Sequence, residues 1–304
     1  MKSDSILILG TGALATLFAA RFAEAGISVS MLGTWQEGLT ALKDKGVTVE
    51  GKGRAFHVHA TDNPAECKGM LFALVLVKTW QTERAAQQLA GCLAEDGVAL
   101  TLQNGLGNDA ILASHLGYPR VALGVTTAGA TLISPGVVCL GGEGPVSLDL
   151  HPRLSPVEQM IRQAGFIVNV VDDLQSLIWG KLIVSSAINP ITALLRVKNG
   201  ELLERPSALE VIGKLARETS AVAKTLGVKL PFKDPERAAI EVVQRTAENL
   251  SSMLQDILRG APTEIDAING AIVHLAEKNN LQVPVNRTVW SIIKAIPVRG
   301  NIKI

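Results

Sequence analysis

Ile6-Leu7-Ile8-Leu9-Gly10-Thr11-Gly12-Ala13-Leu14-Ala15 decides the fold of the front of this chain. Four consecutive aliphatic residues suit a short parallel strand buried on both faces. The glycine turn that follows opens an amphipathic helix running to about residue 25, where Gly26 stops it. Residues 27–32 return as a second strand. Strand, glycine turn, helix and strand in this order form the context in which GxGxxG/A binds a dinucleotide. Gly10 permits the tight turn, Gly12 lets backbone approach a pyrophosphate, and Ala15 lets helix and strand pack closely. The helix N-terminus offers its unpaired N–H groups to the phosphates. Gly10, Thr11, Gly12, Ala13 and Leu14 are therefore the candidate cofactor loop.

Cofactor choice is ordinarily made at the end of the second strand. An acidic residue there holds the ribose 2′-OH of NAD, and an arginine accepts the 2′-phosphate of NADP. This chain has Leu32-Gly33-Thr34-Trp35, which offers neither. Thr34 hydrogen-bonds either group, Trp35 is placed to stack on an adenine, and the choice stays open.

Residues 70–77 read as another buried strand, ending in Lys78-Thr79-Trp80-Gln81, and residues 97–102 as the next, ending in Gln103-Asn104-Gly105-Leu106-Gly107. The carboxyl edge of a parallel sheet is where ligands bind, so Lys78, Gln81 and Asn104 are site candidates. Taken alone, Lys78 also reads as a surface lysine and Asn104-Gly105 as a plain turn. Residues 121–125, 130–133, 137–140 and 147–149 are spaced like short antiparallel strands. A helix over 156–164 and a strand over 166–171 close the front domain.

From Asp172 onward helical periodicity dominates. In the run from Trp179 to Pro190, Lys181, Ser185 and Asn189 recur every four residues among aliphatic neighbours and share one stripe of a helix. Burial favours the neutral form of such a lysine and eases loss of its proton. The same stripe also reads as an ordinary solvated face. Pro190 should kink the helix. Further helices are expected over 206–226, 235–247 and 284–296. Ser252 and Gln255 have capping-box spacing. Thr263 is a candidate N-cap for a helix continuing through 269–278, and Glu264 suits its first turn. The expected architecture is an α/β Rossmann-type dinucleotide-binding domain over 1–171 followed by an all-α domain over 172–304.

The remaining composition excludes several classes. A net charge of +1 leaves no electrostatic footprint for nucleic acid. Cys67, Cys92 and Cys139 are odd in number and form no CxxC pair, so neither a disulfide framework nor a zinc site is expected; a reducing cytoplasm is. His57 and His59 are expected to share a strand face, but no Cys or acidic cluster supports a metal there. Lys2 followed by apolar residues resembles a signal peptide, against which stand Asp4, the two glycines, Arg21 and Glu24. The longest clean apolar run, 71–77, is too short to span a membrane.

The chain resembles the ketopantoate reductase (2-dehydropantoate 2-reductase) family over essentially its whole length. The resemblance is carried by Gly10-Thr11-Gly12-Ala13-Leu14, Lys78-Thr79-Trp80-Gln81, Gln103-Asn104-Gly105-Leu106-Gly107, the Lys181 helix ending Asn189-Pro190-Ile191-Thr192-Ala193, Asn199-Gly200-Glu201-Leu202, Ser251-Ser252-Met253-Leu254-Gln255-Asp256 and Thr263-Glu264-Ile265-Asp266. It implies NAD(P)H-dependent reduction of the C2 carbonyl of ketopantoate to pantoate, a step toward pantothenate and coenzyme A. It further implies Lys181 as general acid, Glu264 as the carboxylate touching lysine and substrate hydroxyl, and Asn189, Asn249 and Ser252 on the substrate. Lys78 and Asn104 fall at the nicotinamide end, and Gln81 on the adenosine side. Where the family commonly has asparagine four residues after the lysine, this chain has Ser185, which lacks an amide donor and acceptor together. That departure motivates a different 2-keto acid as alternative substrate. The family's usual NADPH preference is weakened by Thr34, which leaves NADH in play. A site between the domains implies domain closure, and the long rear helices offer faces for pairing with a second copy.

Overall fold

Ile6, Leu7, Ile8 and Leu9 are all removed from solvent, and they alternate between the two sides of one sheet, Ile6 and Ile8 entering one core cluster and Leu7 and Leu9 another. That is the period-two geometry of a strand with both faces covered. The structure is a computed structural model and describes residues 5–298; Lys2 and Asp4 lie outside the described residues. The chain divides into two units, Met1–Gln103 with Asn108–Leu174, and Asn104–Gly107 with Gln175–Ile304. The division thus falls after Leu174 rather than after residue 171, and one short loop from the front of the sequence belongs to the rear unit.

In the first unit the elements follow as β1 (Ser5–Leu9), α1 (Ala13–Glu24), β2 (Ser28–Leu32), α2 (Gln36–Lys45), β3 (Val47–Val49), β4 (Ala55–Phe56), β5 (His59–Thr61), β6 (Met70–Val75), α3 (Thr82–Cys92), β7 (Leu93–Thr101), α4 (Asn108–Leu116), β8 (Val121–Thr126), β9 (Gly129–Ser134), β10 (Val137–Gly142), β11 (Val146–Asp149), α5 (Ser155–Gln163) and β12 (Val168–Val171). The larger sheet has the order β12-β11-β8-β7-β6-β1-β2-β5. Strands β5, β2, β1, β6, β7 and β8 are mutually parallel, and β11 turns antiparallel to β8. Since β2 and β6 flank β1 on opposite sides, the carboxyl end of β1 is a topological switch point, the place where open α/β sheets bind ligands. Phe18 of α1 stacks on Phe166 with ring centroids 4.2 Å apart, fastening the helix to the far end of the domain.

Several expectations change here. Strand β7 begins at Leu93, earlier than residue 97, and β8 pairs on both sides, antiparallel to β11 as expected but parallel to β7, so it belongs to the large sheet. Only β9 and β10 form the expected antiparallel hairpin, in a separate sheet of order β4-β3-β10-β9. His57 lies between β4 and β5, so it shares no strand with His59, whose ring meets Glu66.

The second unit is helical: α6 (Leu174–Leu195), α7 (Pro206–Thr225), α8 (Pro235–Arg245), α9 (Ser252–Arg259), a π-helical turn over Asp266–Gly270, α10 (Ala271–Lys278) and α11 (Pro284–Lys294). Its core gathers Trp179, Leu182, Ile183, Ala187 and Ile188 of α6 with Leu215, Val243 and Leu254 from other helices. At 22 residues α6 is long and apolar enough to cross a membrane by length and composition, contrary to the expectation from apolar runs alone, but 61 % of its apolar window is buried inside the protein. It runs through Pro190 without interruption.

Candidate active site

The cofactor candidates lie on the first unit. Gly10 closes the turn after β1 with φ +121°, and a Cβ there would stand 3.1 Å from the Leu76 backbone. No other residue fits that conformation and that approach. Gly12 is the N-cap of α1, supplies no side-chain cap, and a Cβ on it would enter open space. The open space beside Gly12 leaves its backbone approachable, and the N-terminal N–H groups of a helix suit a pyrophosphate. Thr11 is buried, and its side chain sits where a Cβ on Gly33 would be, so the loop and the end of β2 close on each other. Ala13 and Leu14 begin α1 and pack on the core. Beyond Gly33, Thr34 is exposed, the Trp35 ring lies over Gly38, and the Gln36 amide donates to Asp62 over 2.7 Å. Thr34, Gln36 and Asp62 thus bring polar and acidic side chains to the mouth of β2, beside the Trp35 ring.

Lys78 precedes a short 3₁₀ turn, and its N–H donates to Oε1 of Gln81 over 3.3 Å, so Gln81 spends its carbonyl as a local cap. Gln103, which the sequence marks only as part of a motif, is a principal brace of this edge. Its Nε2 donates to the Val77 carbonyl (2.9 Å) and to the Thr82 hydroxyl (2.8 Å), joining the segment after β7 to the segment after β6 and to the start of α3.

The second unit assembles the other candidates. Asn104 Nδ2 donates to Oε2 of Glu264 over 3.1 Å, and Glu264 is only 5 % exposed. The loop is held by a bond from Leu106 N–H to the Ala267 carbonyl (3.0 Å) and by Gly105, at φ +75°, where a Cβ would collide with that same carbonyl. Glu264 also acts on Lys181. Burial pushes the lysine pKa down to about 8, and the Glu264 carboxylate opposes part of that fall. Ser185 and Asn189 follow on α6, both half-buried.

Asn249 sits in a turn whose backbone is pinned by Asn199 and Gly200, through Asn199 N–H to Asn249 O (3.0 Å) and Gly200 N–H to Ala247 O (2.9 Å). This explains the Asn199-Gly200 motif as support for Asn249. Ser252 is the first residue of α9 and not its cap. Ser251 is the cap: its Oγ accepts from Leu254 N–H (3.1 Å) and from the Thr192 hydroxyl (2.7 Å), tying the end of α6 to the start of α9. Capping-box spacing misplaced the cap by one residue because Gln255 turns to the Leu250 carbonyl instead. Thr263 does receive the Ile265 N–H, but the element it precedes opens as a π-turn.

A doubly wound α/β unit with a glycine loop, followed by a helical unit keeping a lysine of lowered basicity beside a buried carboxylate, defines an oxidoreductase acting on a CH–OH group. Residues 6–153 match the family model for ketopantoate reductase PanE/ApbA, and residues 173–297 match its C-terminal model. The chain belongs to the ketopantoate reductase family. It is 38 % identical to a 2-dehydropantoate 2-reductase of Archaeoglobus fulgidus over 97 % of this chain and 99 % of that one. To the Pyrococcus horikoshii enzyme of the same name it is 34 % identical over 95 % and 96 %. Among solved structures, a PanE/ApbA family ketopantoate reductase from Ralstonia eutropha superimposes with a TM-score of 0.89 at 28 % identity, covering 96 % of this chain and 98 % of that one. At 23 % identity and a TM-score of 0.87, D-mandelate dehydrogenase shares the fold.

Proposed function

We propose that this protein reduces the C2 carbonyl of 2-dehydropantoate to the alcohol of pantoate, as a cytoplasmic enzyme of pantothenate biosynthesis. Reduced nicotinamide supplies the hydride when bound. The Gly10–Gly12 loop and the first turn of α1 hold its pyrophosphate, with Thr34, Lys78 and Gln81 along the same carboxyl edge. Lys181 gives a proton to the carbonyl oxygen as negative charge develops there, and Glu264 keeps the lysine charged and takes a hydrogen bond from the substrate hydroxyl. Asn104 fixes Glu264; Ser185, Asn189, Asn249 and Ser252 orient the keto acid.

The observation carrying this reading is the Lys181–Glu264–Asn104 group. A pKa of about 8 leaves Lys181 mostly protonated at neutral pH yet ready to release its proton, which is what a general acid needs. A buried carboxylate beside it has no comparable use in a protein that only binds nucleotide. NADPH is the proposed reductant by family, with NADH the competitor because no arginine follows β2 and Asp62 stands close by.

The test follows the absorbance of reduced nicotinamide with 2-dehydropantoate, using NADPH and NADH separately. Turnover with either supports the proposal, and the ratio of kcat/KM settles the reductant. Ser185 favours a second reading, a different branched 2-keto acid. Reduction of such an acid with none of 2-dehydropantoate would replace the first reading by the second. Nucleotide binding without reduction of any 2-keto acid would remove both.

A further inference from the structure

Pro190 sits inside α6 and has no N–H, so the Ser186 carbonyl one turn earlier loses its in-helix donor. Leaving a buried carbonyl unpaired is unfavourable. The structure meets that need from another element: Asn269 Nδ2 donates to Ser186 O over 3.0 Å. Asn269 lies in the π-helical turn Asp266–Gly270, which follows directly on Glu264, whose carbonyl accepts the N–H groups of Ala267 and Ile268. The second hydrogen of the same amide goes to Asn286 Oδ1 (2.9 Å). Asn286 in turn donates to Glu218 Oε2 (2.9 Å), and Glu218 also accepts the N–H groups of Val285 and Asn286.

Asn269 is fully buried, and its own Oδ1 receives no hydrogen bond. An apolar side chain of similar size would avoid that orphaned oxygen. The position therefore keeps its amide for what the two N–H groups hold. Ser186 lies on the turn between Lys181 and Asn189, so the bond fixes that turn to the segment bearing Glu264.

We infer that Asn269 is a positioning residue for the reaction: by capping the carbonyl that Pro190 leaves open, it sets the distance between Lys181 and Glu264. The inference rests on the proposed roles of those two residues. Proline at 190 and asparagine at 269 then act as one device. Proline creates an acceptor on α6 that the helix itself cannot satisfy, and the π-turn supplies the donor. Glu264 is the charged group that acts on the lysine, so loosening the bond loosens that pairing.

The test is a double-mutant cycle with Asn269→Leu and Pro190→Ala in the full-length protein. Alanine at 190 restores an N–H for the Ser186 carbonyl, while loss of the Asn286 partner is common to both backgrounds and cancels. With proline present, Asn269→Leu is expected to lower kcat by about tenfold to a hundredfold, leave the KM for the nucleotide unchanged, and move the alkaline limb of the kcat profile to lower pH. With alanine at 190 the loss should shrink at least about fivefold, the size of coupling between groups in direct contact. If Asn269→Leu does not fold with proline present, the same cycle is run with Asn269→Ala and read by the same alkaline limb. Equal losses in both backgrounds, or an unmoved alkaline limb, would overturn it. Absence of turnover in the unaltered protein would instead sink the proposed function, so the two failures are distinguishable.

Discussion

Replacing Glu264 by glutamine isolates its charge, because the amide oxygen can still accept from Asn104 over the observed 3.1 Å. With a pKa of about 8, Lys181 is about 90 % protonated at pH 7. Burial lowers that pKa and Glu264 raises it, so removing the carboxylate leaves burial unopposed and the pKa falls further. A neighbouring opposite charge is worth on the order of one unit. The protonated fraction would then drop to about one half at pH 7 and, at pH 8.5, from about 24 % to about 3 %. The expected signature is a twofold loss of kcat at neutral pH from protonation alone, growing to about eightfold at pH 8.5. The assay is nicotinamide oxidation at saturating substrate across the pH range, with the alkaline limb fitted for wild type and variant. If the limb stays where it is, Glu264 does not set the charge on Lys181, and the carboxylate reverts to a helix-start residue.

Lys181→Ala should lower kcat by at least ~100-fold with the fold intact; single-turnover rates near those of the unaltered enzyme would remove the lysine from proton transfer. Gly10→Ala places a Cβ 3.1 Å from the Leu76 carbonyl at φ +121°, so it should cost about 1–3 kcal/mol and weaken both nucleotides, read by denaturant melts and fluorescence titration. Phe18→Ala removes the ring stacked on Phe166 and should cost about 3–5 kcal/mol in chemical denaturation. Ser251→Ala deletes the α9 cap and the partner of Thr192, for a loss of about 1 kcal/mol and a raised KM for the keto acid.

Local grammar made the front of the chain readable. The aliphatic run, the glycine spacing and the returning strand are consecutive in sequence, so they report the same β1-α1-β2 unit that the structure holds. The four-residue recurrence of Lys181, Ser185 and Asn189 likewise survives as one stripe of α6. What escaped detection is long-range. Asn104 and Glu264 are 160 residues apart, and Asn269 finds Ser186 at a separation of 83. No periodicity encodes such pairings. Propensity at Pro190 weighs only the lost donor and the ring, whereas the partner that takes up the open carbonyl comes from another element. Two adjacent serines, Ser251 and Ser252, are equivalent by type; Ser251 is the cap, it also receives the hydroxyl of Thr192, far away in sequence, and Gln255 turns to the Leu250 carbonyl.

The peptide chain passes from one unit to the other at residues 103–104, 107–108 and 174–175. Genetic dissection at the obvious late boundary therefore does not yield two self-sufficient fragments. A truncated rear fragment would lack the Asn104–Gly107 insert, leaving Glu264 without its amide donor and the Ala267 carbonyl without Leu106. Complementation by separately expressed halves would require the front fragment to deliver that insert in trans, so a functional split of this protein is better sought in an exposed surface turn than at the seam between its units.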